Sequence, residues 1–157
     1  MARLRTLLCT LILCALSGPA WADFRGRVIA VHDGDTITVL VERTPMRVRL
    51  ADIDAPEHHQ AFGARAKQAL SAYAYGRQAV VIERGQDRYG RTLGTVFVDG
   101  RNLNLAMIDA GFAWAYRRYT QEPALLERER RARANKVGLW ADQSPVAPWM
   151  FRKPQAK

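Results

Sequence analysis

The order of short apolar segments predicts an α+β fold: a five-stranded OB-type β-barrel with three α-helices. Three observations carry this reading. Three strand-like runs follow one another between Phe24 and Asp52 with only short polar breaks, one helical segment separates the third run from the fourth, and two further helical segments come after the fifth. A chain of 157 residues that is 48% hydrophobic is large enough for one domain with a substantial core.

The first strand spans Phe24 to Val31, with Arg25 and Arg27 at alternate positions. Asp33-Gly34 supplies turn chemistry with a positive-φ glycine, and the second strand runs from Thr36 to Glu42. Thr44-Pro45 is expected to turn the chain into the third strand, Met46 to Asp52. From Gln60 the period changes. Phe62, Ala66, Ala69, Leu70, Tyr73 and Ala74 recur at helical spacing until Gly76 stops the helix. Ala79 to Glu83 forms the fourth strand, Gly85 to Gly90 a polar loop, and Arg91 to Val98 the fifth strand. The second helix, Leu103 to Ala110, ends at Gly111 and leads into the aromatic and basic segment Phe112 to Tyr119. A third helix begins at Glu122 or Pro123 and ends at Asn135 or Val137. It carries a thin apolar stripe of Leu125 and Ala132, and Gly138-Leu139-Trp140 provides a core anchor after it. Beyond Asp142 the chain reads as an extended tail containing Pro145, Pro148 and Pro154.

At the N-terminus, Arg3 and Arg5 precede an uncharged apolar run from Leu7 to Leu16, and Ala20-Trp21-Ala22 supplies an A-x-A cleavage pattern. The run is about half the ~20 residues needed to span a bilayer. Residues 1–22 are therefore expected to be a secretory signal, 23–141 the folded domain and 142–157 a Pro-rich C-terminal tail. The protein is expected to be periplasmic or secreted, without stable membrane association after cleavage. Cys9 and Cys14 both fall in the signal, so the exported chain relies on packing rather than disulfides. Cleavage removes two arginines and no acid, lowering the net charge from +9 to +7. Such a charge favours polyanions: nucleic acid, anionic lipid head groups or acidic polysaccharide.

The segment His32 to Glu57 concentrates the chemistry. If the second and third strands pair, Asp35 and Asp54 reach the same end of the barrel, near Asp33, Arg49 and Glu57. Asp52 also falls in this stretch. Oxygen ligands without cysteine suit Ca²⁺ or Mg²⁺ rather than zinc. His58 and His59 lack a cysteine or third histidine at metal-binding spacing and are read as exposed loop residues, while His32 is read as a strand-end residue. Acids together with Arg49 and Arg91 suit phosphoryl transfer. A cation neutralises a phosphate oxygen, guanidinium groups stabilise the equatorial oxygens, and a carboxylate accepts a proton from water. The individual aspartates also suit turn and loop hydrogen bonds.

The motifs DGDT, RLADIDAPE and DRYGR, followed by GLW, resemble those of the thermonuclease or staphylococcal-nuclease-like family over roughly Phe24 to Trp140. The proline-tryptophan tail, Pro145 to Trp149, is similar to that of small exported bacterial members. The resemblance implies that Asp35, Asp54 and the backbone carbonyl of Ala55 bind Ca²⁺, with Asp33 in the outer shell. It implies that Arg49 and Arg91 clamp the scissile phosphate and that Glu57 is the general base. Arg88 and Tyr89 match residues that hold a terminal phosphate. Tyr119 matches one of two nucleotide-flanking tyrosines, and Arg117 stands in place of the other. Trp114 and Tyr116 are read as core aromatics.

The implied activity is Ca²⁺-dependent hydrolysis of DNA and RNA, with single-stranded substrates preferred and 3′-phosphates left, by a monomer. The alternative is a non-catalytic OB-type nucleic-acid-binding module. A third reading, adhesion to acidic polysaccharide, rests on charge alone.

Overall fold

The computed structural model describes residues 23–153. The expected signal peptide lies outside the described residues. Strands are β1 Phe24–Val31, β2 Thr36–Val41, β3 Thr44–Leu50, β4 Ile53–Asp54, β5 Gln78–Gln86, β6 Thr92–Val98, β7 Arg101–Asn102 and β8 Trp114–Ala115. Helices are α1 Gly63–Ala74, α2 Leu103–Asp109, α3 Pro123–Ala134 and α4 Pro148–Phe151, with a 3₁₀ turn at Gly138–Ala141.

The expected five-stranded barrel is formed by β1, β2, β3, β5 and β6. Sheet neighbours β3-β2-β1-β5-β6 run antiparallel, and parallel pairing of β3 with β6 closes the barrel. Alternation along the strands turns Val28, Ile37, Val39, Val48, Leu50, Val81 and Val96 inward, all without exposed surface. Leu70 of α1 and Leu103, Met107 and Ile108 of α2 extend the same core. Each such side chain contributes about 1.5–3 kcal/mol on burial. Asn104 fastens α2 to the closing seam. Its Oδ1 accepts from Val96 N at 3.0 Å, and its Nδ2 donates to Ala51 O at 2.9 Å and Gly94 O at 3.1 Å.

Several local expectations are corrected. The second hairpin turns at Glu42-Arg43, with Glu42 at φ 55°, rather than at Thr44-Pro45. Pro45 sits inside β3 opposite Leu40, and β6 pairs only with Val48 to Leu50 further along β3. The missing N–H is thus tolerated on a locally free edge. Gly34 is not among the positive-φ residues. Its constraint is space, because a Cβ there would stand 2.6 Å from Ala66 Cβ and 2.7 Å from Ala55 Cβ. The loop carrying Asp33 and Asp35 is consequently pressed against α1. Phe62, the first apolar residue of the expected helical spacing, is the left-handed N-cap of α1, and the helix starts one residue later, at Gly63.

The C-terminal segment is not an extended tail. It folds into α4, a fourth helix where three were expected, and packs on the body. Trp149 stacks on Tyr116, with ring centroids 5.3 Å apart and planes 6° apart, and meets Trp114 edge-on at 5.5 Å. Phe151 stays exposed. Among the described residues, no helix is long and apolar enough to cross a membrane.

Candidate active site

Strand register brings the first acid to the first arginine. Thr36 pairs with Arg49 across β2 and β3, and Leu50 N donates to Asp35 O at 2.8 Å, placing Asp35 beside the guanidinium. Arg49 Nη1 donates to Asp35 Oδ1, and its Nη2 donates to Asp54 Oδ1 at 2.8 Å and to Ile53 O at 3.3 Å. Asp35 also accepts from Thr36 Oγ1 at 2.9 Å and Ala55 N at 2.8 Å. The short β4–β8 ladder, with Asp54 opposite Trp114 and Ile53 opposite Ala115, fixes Asp54. The aromatic segment is therefore a scaffold for the acid, and buried Trp114 belongs to the core as expected.

Asp35 and Asp54 are 3% and 0% exposed, which makes their charge a matter of local partners rather than solvent. Burial raises the Asp54 carboxyl above the ordinary range, with hydrogen bonding from Arg152 opposing it. Burial also raises Asp33 to about 7, and the neighbouring Asp35 adds to that rise. Burial alone would lower Arg49, but Asp35 and Asp54 outweigh it and the guanidinium is held more firmly protonated. Asp33 stays close to the group, its Oδ1 accepting from Asp35 N at 3.0 Å.

Glu57 lies at the rim, half-buried, in a turn organised by Gln60. Gln60 Oε1 accepts from Glu57 N at 3.1 Å, and Gln60 Nε2 donates to Val146 O at 2.5 Å. The same turn requires Gly63, since a Cβ there would come within 1.9 Å of Glu57 O. Across it comes Arg152. Its Nη1 donates to Glu57 Oε1 at 2.5 Å, and its Nη2 donates to Asp54 Oδ2 at 2.7 Å. Sequence reasoning missed both Gln60 and Arg152. Besides its local bond to Glu57 N, Gln60 reaches Val146, 86 residues away, and Arg152 reaches Asp54, 98 residues away, so no local spacing could show these two contacts.

The other expected residues are placed differently. Arg91 immediately precedes β6, two residues before Leu93, the register neighbour of Arg49. Among the described residues, its side-chain hydrogen-bond partner is Asp87, with Nε 2.7 Å from Oδ2, rather than the Asp35, Asp54 and Glu57 group. Asp87 also accepts from Tyr89 N at 2.9 Å and Arg91 N at 3.0 Å, making it the organiser of this loop. Its slight burial would raise its pKa, but those N–H groups and the charge of Arg91 hold it below the ordinary carboxylate range. Arg88 Nη2 donates to Tyr89 Oη at 2.6 Å, and Tyr89 is 69% exposed. Tyr119 is 67% exposed and lies edge-on to Tyr116, with centroids 4.9 Å apart. Arg117 instead forms an ion pair with the fully buried Glu129, Nη1 to Oε2 at 2.8 Å. His58 and His59 are exposed, and His32 Nε2 is 2.8 Å from Thr38 Oγ1.

An OB-type barrel gathers buried carboxylates and guanidinium groups at one end, a set of groups suited to phosphoryl transfer. Residues 47–142 match the model of the staphylococcal nuclease homologue family. The chain belongs to that family. It is 45% identical to the micrococcal nuclease of Shigella flexneri over 164 residues, covering 98% of this chain and 94% of the relative. Protein ParB of Escherichia coli is 49% identical over 154 residues, covering 91% and 87% respectively. An uncharacterized endonuclease of Haemophilus influenzae is 41% identical over 144 residues, covering 91% and 81%. The protein is a nuclease with nucleic acids as its substrates, and nucleases of this family are generally metal-dependent.

Proposed function

We propose that the protein is an exported, monomeric, Ca²⁺-dependent nuclease that hydrolyses DNA and RNA, prefers single strands and leaves 3′-phosphates. Arg49 bridging the buried Asp35 and Asp54, with Glu57 at the rim, is the observation that carries this reading. The donor set fits a hard cation. Asp54 and Glu57 oxygens already converge on one positively charged group, and every side-chain donor proposed for the cation is a carboxylate oxygen. Among the described residues, no three acids or histidines make a complete ligand cluster. Asp35, Asp54 and the Ala55 carbonyl would hold the cation, with Asp33 outside them and water or phosphate completing the shell. When bound, Ca²⁺ supplies positive charge to a phosphate oxygen.

The chain's own residues do the remainder. Arg49 and Arg91 bind the scissile phosphate, and their planar forks stay protonated as charge grows on its oxygens. Glu57 takes a proton from the attacking water. The new O–P bond forms as the bond to the 5′ oxygen breaks, and the departing oxygen takes its proton from solvent. Arg88 and Tyr89 hold a terminal phosphate. The exposure of Tyr119 suits a base platform, a contact available when bases are unpaired. Arg117, paired with Glu129, serves at the edge of the nucleotide site. Phosphate-directed contacts would accept any sequence.

Residues 1–22 direct export in this proposal, with the nuclease domain beginning at Asp23 and no lasting membrane attachment. The test is digestion of heat-denatured DNA and of RNA by purified protein with Ca²⁺, Mg²⁺ or excess chelator, followed by end-group analysis. Degradation of both polymers only with Ca²⁺, leaving 3′-phosphate ends, is expected. Tight binding without cleavage under every metal would favour the non-catalytic module instead.

A further inference from the structure

The C-terminal arm reaches the catalytic acids through a built path rather than a loose end. Trp149 is stacked on Tyr116 and set edge-on to Trp114, Ala147 is 8% exposed, and Gln60 holds the Val146 carbonyl. The last turn of α4 then fixes the backbone of Arg152, whose N donates to Pro148 O at 3.0 Å. This anchoring directs a single cationic side chain inward. Its guanidinium spans Asp54 and Glu57, with Nη1 also 3.2 Å from Asp54 Oδ1.

Two arginines therefore flank Asp54. Arg49 takes Oδ1, and Arg152 takes chiefly Oδ2. Pairing with a carboxylate does not disqualify a guanidinium from phosphate work, because its five donors form a fork that fits either oxyanion. Position decides the partner. A phosphodiester attacked by water on Glu57 must lie within a few ångströms of that carboxylate, and Arg152 already touches it.

Resting on the nuclease reading above, we infer that Arg152 is a third phosphate-binding arginine of the active site, delivered by the docked C-terminal arm. In the substrate complex it moves its fork from the carboxylates to a non-bridging oxygen of the scissile phosphate. Arg152 lies beyond residues 47–142, the span that the family model matches. The active site thus extends past the barrel and its three longer helices to the end of α4.

The experiment compares cleavage of single-stranded DNA at saturating Ca²⁺ by the wild-type protein, Arg152→Ala, Arg152→Lys and Trp149→Ala. Turnover by Arg152→Ala should fall about 10- to 100-fold, the size expected for one charge-assisted contact. Millimolar guanidinium should restore part of that loss without accelerating the wild type. Arg152→Lys should be intermediate, because it keeps charge but loses the fork. Trp149→Ala should lose activity as the arm undocks. Circular dichroism should show the barrel intact in each variant. Wild-type rates in Arg152→Ala would overturn the inference while leaving the nuclease intact. Faster cleavage would also overturn it and make the arm an inhibitory latch. An inert wild-type protein would remove the nuclease reading and this inference together.

Discussion

Arg49 donates to two carboxylates with side-chain exposures of only 4% and 1%, so removing it leaves buried acids short of a partner. Arg91 is tied to the partly exposed Asp87, outside that group. The two proposed phosphate clamps should therefore respond differently to mutation. Either alanine variant is expected to lower turnover by about 10³- to 10⁵-fold, the scale of a catalytic arginine in phosphoryl transfer. Arg49→Ala should also lose about 3 kcal/mol of stability in chelator, near the lower end for breaking a buried pair because Asp54 keeps Arg152. Arg91→Ala should unfold like the wild type. Denaturant titration and cleavage rates of both variants check this. Equal stability losses would contradict the difference in their surroundings. At this scale, Asp35, Asp54 and Arg49 were legible because strand register converts their spacing into proximity. Gln60, Asp87 and Arg152 were not assigned roles from sequence, because folded contacts decide what each one holds.

At the level of elements, the barrel seam and α2 meet at Asn104. This one side chain satisfies Val96 N and Ala51 O and adds a second hydrogen bond to Gly94 O, which already accepts from Ala51 N. Asn104→Leu would leave Val96 N and Ala51 O buried without these partners. A loss of about 2–4 kcal/mol is expected in urea unfolding, from a cost of about 1–3 kcal/mol for each unsatisfied buried group. An unchanged midpoint would show that the seam does not depend on this node. Apolar alternation made the barrel strands readable, but it could not distinguish a turn at Thr44-Pro45 from one at Glu42-Arg43. Pro45 fits inside β3 because the edge there is free, a property of sheet order rather than local sequence. The third helix shows the same limit. Its arginine-rich face conceals Glu129, fully buried and paired with Arg117 and Arg133, while Arg133 also lies over the Trp140 ring at 3.9 Å. Charge alone gave no sign of that burial.

Across the whole molecule, a barrel end, the β4–β8 ladder and the C-terminal arm converge on one group of acids. The barrel supplies Asp35 and Arg49, the ladder fixes Asp54, and the arm brings Arg152 against Glu57. The net charge of +9 for the whole sequence places this group in a chain suited to polyanions. The OB-type architecture was readable from element order, whereas docking of the tail depends on Tyr116 and Trp149 meeting from distant parts of the chain. The most direct test of the proposed site is the turnover of labelled single-stranded DNA by wild type and Glu57→Gln at saturating Ca²⁺. The variant should retain the fold and lose about 10²- to 10⁴-fold in rate, as expected for a general base. Equal rates would contradict the assignment of Glu57 and with it the proposed active site.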